Sequence, residues 1–376
     1  MKAESLLIRS INLLEDHLID CFKRGFKPTL AVVFCSATYD FQRLSVVFDC
    51  FNIDLMGSTT AGEISNDTLS EKGITCLLMD IPKQYYSIGF ERNIDGVFET
   101  GKKLRLYGQS KFDNPSFIIS ASGIGSDGDK ILEGFKHGYD NEISIFGGLA
   151  GSDTGSNKTH VFTRYIQSND GIAAVIFDSD YIEISGLATS GWEAVGSFNT
   201  VTKSEKNTIY TINNEPALDF LMRFMNKDSD SEQMNSRELI AHEYPFQLVK
   251  DNTSEVIRLP IATNVLEKSV TLTGSVKEGN QFRLSISPSV EVVNKTVKEF
   301  EEFYKTVPNA DALILFSCIG RSSAFGPFLE DEVKGIYNQW QKPMIGFLTY
   351  GEFGNLKNGI CEFHNETCSL VTIRQK

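Results

Sequence analysis

Two short stretches of this chain carry residues that could act on a ligand together. Gly57-Ser-Thr-Thr-Ala-Gly-Glu63 and Gly346-Phe-Leu-Thr-Tyr-Gly-Glu352 both read G-x-x-T-x-G-E at identical spacing. Glycine there permits positive φ or close approach of a ligand, threonine offers a hydroxyl and glutamate a charge. A purely structural reading competes: the glycines shape a turn or bulge while threonine and glutamate cap a neighbouring element. One copy favours the structural reading; two copies make ligand contact an equal expectation.

Other chemistry is sparser. Cys318 stands near Arg321 in FSCIGRSSAFG, where a guanidinium could favour thiolate. A small buried residue at a strand end is the stronger reading of Cys318, and catalysis is not indicated. Gly123-Ile-Gly125-Ser-Asp-Gly128 matches G-x-G-x-x-G between a strand and a helix. The next strand ends in Phe146-Gly147-Gly148 without the ribose-binding acid, which argues against NAD. Cys361, His364 and Cys368 lie within eight residues, a spacing compatible with zinc ligands. The alternation of ICEFHNETCSLVTI instead predicts a β-hairpin with Cys361 and His364 on opposite faces, so no metal is expected. No nucleophile elbow or H-E-x-x-H occurs.

The elements that must position these groups repeat. LAVVFCS and ALILFSC are apolar strands; each precedes an amphipathic helix, with Phe41, Leu44, Val47 and Phe48 on one face of the first and Leu329, Val333, Ile336 and Trp340 on one face of the second. A second strand and the glycine signature follow, which is a βαβ unit. FIISASG, GDKILEGFKHGY and ISIFGGLAGSD form a third copy whose signature reads as one residue shorter and lacks threonine and glutamate. A Gly-Ile strand follows each copy, at Gly73-Ile74, Gly171-Ile172 and Gly359-Ile360. The fold class is therefore α/β, with EVIRLPIA, VTLTGSV and QFRLSIS as antiparallel strands of a mixed second half. Ligands of such sheets gather at the carboxyl ends of parallel strands, where the signatures fall.

Composition narrows the partners. With 376 residues, 41% of them hydrophobic, and a net charge of −13 without a basic run, the chain can bury two cores and repels nucleic acid. No stretch is apolar enough to span a bilayer. Seven cysteines without paired spacing predict a reducing compartment, the cytoplasm. Residues 1–27 read as an amphipathic helix with Leu7, Ile11, Leu14, Leu18 and Phe22 on one face, suited to docking or homodimerisation.

FSCIGRSSAFG with IGFLTYGEFG, MGSTTAGEIS and FGGLAGSD resembles the FIST family of sensory modules across roughly residues 28 to 358. The resemblance divides the chain into an N-type half, 28–225, and a C-type half, 226–376, joined near the polar stretch NKDSDSEQMNSRE. It implies an intracellular signal-input domain for small ligands such as amino acids. The halves consume nearly everything, so the output is expected from a separate partner such as a histidine kinase or cyclic-dinucleotide enzyme. On that reading Arg321 holds a ligand carboxylate and Glu63 or Glu352 an ammonium. Ser58, Thr60, Gly147, Gly148, Ser317, Cys318, Thr349 and Tyr350 complete the expected ligand-binding set, in a cleft shared by the two signatures. Some family members resemble haem-binding nitric-oxide sensors, which makes His242 and then His364 the alternative axial ligands.

Overall fold

The computed structural model describes residues 1–138, 143–155, 158–225, 244–250, 254–286 and 290–376. Residues 226–238, where the halves were expected to join, and His242 lie outside the described residues.

Three copies of one unit organise the described chain. The first runs β1 (Ala3–Ile8), α1 (Ile11–Lys23), β2 (Leu30–Cys35), α2 (Phe41–Cys50), β3 (Asp54–Thr59), the hairpin β4 (Glu63–Ser65) and β5 (Thr68–Ser70), then β6 (Ile74–Met79). The second repeats this as β7 (Tyr86–Arg92), α3 (Val97–Lys111), β8 (Pro115–Ala121), α4 (Gly128–Lys136), β9 (Ile145–Leu149), β10 (Val161–Thr163), β11 (Gln167–Ser168) and β12 (Gly171–Asp178). The third opens with β13 (Ile182–Thr189), after which a separate layer is inserted. That layer comprises β14 (Ala194–Glu205), β15 (Thr208–Ile212), β16 (Glu215–Pro216), α5 (Ala217–Phe224), β17 (Phe246–Lys250), β18 (Ser254–Arg258), β19 (Pro260–Asn264), β20 (Ser269–Leu272) and β21 (Gln281–Ser285). The third unit then resumes with α6 (Val290–Thr306), β22 (Ala312–Cys318), α7 (Ile319–Phe325), α8 (Phe328–Trp340), β23 (Met344–Thr349), the hairpin β24 (Glu352–Asn355) and β25 (Cys361–His364), and β26 (Cys368–Gln375).

In each unit the two strands of the βαβ step are parallel (β2 with β3, β8 with β9, β22 with β23), as the sequence predicts. The last strand of each unit returns antiparallel to the first of that pair. Each hairpin leaves its own unit to extend another unit's sheet: β4 pairs β23, β10 pairs β3 and β24 pairs β9. The exchange is cyclic and closes the three mixed sheets around one core. Leu30, Val32 and Phe34 point into it, while Ala31, Val33 and Cys35 face α1 and α2, which is why LAVVFC is apolar throughout. Phe34, Phe316 and Phe347 meet at its centre with ring centroids 4.4 to 6.0 Å apart.

Several expectations are corrected. Residues 3–8 form a strand on β6, and α1 begins only at Ile11, where the Ser10 hydroxyl accepts the Asn12 N–H. The apolar face of α1 (Ile11, Leu14, Leu18, Cys21) is buried in its own unit, so it is not a free dimerising face. The strand that closes the third unit is β26, not the Gly-Ile segment at Gly359. Cys361 and His364 lie on β25, which pairs β24 rather than hairpinning with β26, so Cys368 belongs to a different sheet.

Candidate functional site

The signatures are the joints of the cyclic exchange. The Ala61 N–H donates to Leu348 O (3.1 Å), the Tyr350 N–H to Leu149 O (3.1 Å) and the Gly151 N–H to Thr59 O (3.0 Å). This ring makes positions 60, 150 and 349 equivalent, and likewise 63, 153 and 352. The middle copy therefore keeps full spacing, with Ala150 for threonine and Asp153 for glutamate, against the shorter version the sequence suggested. Gly62 and Gly351 take φ of 152° and 158°, and a Cβ on Gly351 would enter the Phe363 ring.

The signature side chains are spent on each other. The Thr60 hydroxyl donates to Glu63, which also accepts the Gly73 N–H at 2.8 Å. The Thr349 hydroxyl donates to Glu352, which also accepts from Thr367 at 2.7 Å. Both glutamates are fully buried, and burial raises them to about 7 and about 8. The two loops are equivalent, but they are buried joints that tie hairpins to neighbouring sheets, not the walls of an open cleft.

Arg321 is likewise committed. Its enclosed guanidinium pairs with the buried Glu332 of α8 and donates to the carbonyls of Ser190 (2.8 Å) and Glu366 (2.9 Å). No donor is left over for a ligand carboxylate. With that charge balanced, burial pushes the Cys318 thiol well above its ordinary range, the opposite of activation. Gly148 packs against the Thr349 side chain, Gly147 lies on β9, and Ser58 and Ser317 are buried within β3 and β22. His364 is enclosed, its Nε2 3.2 Å from Gly354 O, and burial lowers it to about 3.

A cavity of about 550 Å³ opens where the inserted layer meets the second and third units. The second unit contributes the loop from Gly123 to Asp127 and the end of β9; the third contributes Cys318, Ile319, Gly320, Tyr350 and Asn365. The inserted layer supplies Lys206 and Asn207 from its β14–β15 turn, Leu259, Ile261 and the segment Thr273 to Ser275. Of the expected ligand residues, Cys318 and Tyr350 line it; Thr60, Glu63, Thr349, Glu352 and Arg321 do not.

Three features give this cavity its chemistry. Most of its wall is apolar, from Ile124, Leu149, Leu259, Ile261, Ile319 and the Tyr350 ring. Asn365 is buried, and its Nδ2 donates to Tyr350 O at 3.4 Å, leaving Oδ1 without a partner among the described residues. Lys206 and Asp127 bring opposite charges. Asp127 caps α4 through the Lys130 N–H and accepts from Ser275 at 3.2 Å.

A buried network fixes the inserted layer against this wall. Arg258 meets both oxygens of Asp129 at 2.9 Å, and Lys250 bridges Asp129 (2.7 Å) and Glu362 (2.9 Å). Burial alone would raise Asp129, but Arg258 and Lys250 outweigh it and hold the carboxyl below its usual range. The sequence matched the glycine-rich loop to a dinucleotide fingerprint and argued against it; the structure places that loop in the wall of this cavity. Asn365 carried no signal, since one asparagine in a turn is ordinary.

The FIST N domain family model matches residues 29–215, and the FIST C domain model matches residues 217–355. No curated protein matches the chain. The chain belongs to the FIST family, whose domains are sensory modules of signal transduction.

Proposed function

We propose that this FIST chain senses a free amino acid with an apolar side chain, held in the cavity between the second unit, the third unit and the inserted layer. The observation that carries this reading is Asn365, a buried residue lining a mostly apolar cavity, whose Oδ1 has no partner among the described residues. A buried acceptor left empty costs about 1–3 kcal/mol, and a ligand N–H removes that cost. An ammonium group suits Oδ1, the carboxylate suits Lys206 at the mouth, and the side chain suits Ile124, Leu259, Ile261 and Ile319. A volume near 550 Å³ lies in the range of small-molecule sites.

Because the wall comes from separate layers, a ligand contacting all of them acts differently on open and closed arrangements, as a sensor requires. The output passes to a separate signalling partner, of the histidine kinase or cyclic-dinucleotide enzyme kind. Of the two histidines named for the haem alternative, His242 lies outside the described residues and the enclosed His364 does not line this cavity. A melting-temperature screen of the free amino acids tests the proposal: a shift confined to apolar members is expected. No shift with any of them at millimolar concentration overturns it.

A further inference from the structure

We propose that Glu4, His17 and Cys21 form a zinc site for which the displaceable guanidinium of Arg24 competes. These residues precede the span matched by the FIST N domain model, so the site belongs to the N-terminal part of this chain rather than to the matched module. His17 and Cys21 sit four residues apart on α1, which places them on one helix face. Glu4 reaches them from β1.

A carboxylate oxygen, an imidazole nitrogen and a thiol sulfur from these residues lie within 4.8 Å of one another. His17 Nε2 is 3.5 Å from Glu4 Oε2, and Cys21 Sγ is 3.7 Å from the same oxygen. Donors of a tetrahedral zinc with bonds of about 2.0–2.3 Å stand about 3.3–3.8 Å apart. These two separations therefore already suit the ion. His17 Nε2 is a buried nitrogen without a hydrogen-bond partner among the described residues, turned toward the carboxylate. The mixed sulfur, nitrogen and oxygen set favours zinc over calcium or magnesium, which take oxygen ligands.

Arg24 marks where a cation is favoured. Its Nη2 lies 3.1 Å from Glu4 Oε2 and 3.4 Å from Cys21 Sγ, bridging two of the three donors. The Arg24 side chain is 52% exposed and can swing into solvent. The Glu4 and His17 side chains keep 22% and 33% exposure, leaving a solvent-facing side where water completes the tetrahedron. Binding forms bonds from zinc to sulfur, nitrogen and oxygen; the Cys21 thiol proton leaves to solvent.

The test is a chelator-competition titration of the full chain with zinc, paired with cobalt absorption, in a Cys50→Ser background that removes the exposed thiol. Cobalt should give an intense thiolate charge-transfer band. Cys21→Ser should abolish the band, His17→Gln should weaken zinc at least tenfold, and Arg24→Ala should tighten it. His17 is partly exposed, so its variant keeps the test sound should Cys21→Ser fold poorly. Binding unchanged in His17→Gln, or weakened in Arg24→Ala, overturns the proposal.

Discussion

Replacing Arg321 with methionine separates a ligand-binding role from a structural one. The guanidinium is fully enclosed and donates to Glu332, to Thr296 at 3.2 Å and to the carbonyls of Ser190 and Glu366. It thus ties α7 to α8, to α6, to the segment after β13 and to the β25–β26 turn. Removing it strands a buried carboxylate, which costs about 3–5 kcal/mol. Each carbonyl left without its donor adds about 1 kcal/mol. Arg321→Met should therefore lose about 5–7 kcal/mol, a large share of the roughly 5–15 kcal/mol that holds a typical domain. Adding Glu332→Gln should recover about 2 kcal/mol or more, because the stranded charge is gone. Urea unfolding followed by tryptophan fluorescence reads both, with the midpoint converted through a common slope. An Arg321→Met protein as stable as wild type, or a double variant no better than the single, refutes the reasoning.

The buried carboxyls give a pH signature. Glu63, Glu352 and Glu366 are raised by burial to about 7, 8 and 8, from an ordinary 4.5. Their stabilising contribution is complete below the unfolded value and is lost as pH rises through the folded values. His364, lowered to about 3 from 6.5, works the other way: its contribution is present above 6.5 and is lost as pH falls. Stability should then decline from pH 6.5 to 8, and Glu366→Gln should flatten that decline by on the order of 1 kcal/mol per pH unit; equal slopes in denaturation series would contradict this. Gly351→Ala should cost about 1–3 kcal/mol in the same assay, from positive φ and the Phe363 ring; a neutral effect would remove the joint role argued for the signature. Asp129→Ala leaves Arg258 buried without its carboxylate and should loosen the inserted layer, read as faster hydrogen exchange in β17 and β18 than in β2 and β3; unchanged exchange would count against the clamp.

Much of the frame was legible because it is local. Continuous apolar runs in LAVVFC and ALILFSC, each followed by an amphipathic helix, specify a βαβ step wherever the chain ends up. The hairpin exchange was not legible, since nothing in Glu63 to Ser70 distinguishes a partner in its own sheet from one in the third unit. The signature shows the same divide. Its spacing announced a repeated part, and its ring of backbone bonds explains the repetition. Whether threonine and glutamate face a ligand or each other depends on burial, which the pattern does not carry. Arg321 had several acids within reach of its sequence neighbourhood, and only the packing of α8 selects Glu332. The cavity draws Cys318 and Tyr350 from a motif but Asn365, Lys206 and Ile261 from turns and an ordinary strand.

The most direct measurement of the sensor reading is a calorimetric titration of the amino acids into wild type and Asn365→Leu side by side. Losing a hydrogen bond to a charged group costs about 1.5–3 kcal/mol, or roughly tenfold to a hundredfold in affinity. The account predicts saturable heat with at least one apolar amino acid, weakened at least tenfold in Asn365→Leu and nearly unchanged in Lys334→Ala, on an exposed turn of α8 remote from the cavity. No saturable heat with any of them, or binding to the folded Asn365→Leu protein as tight as to wild type, contradicts it.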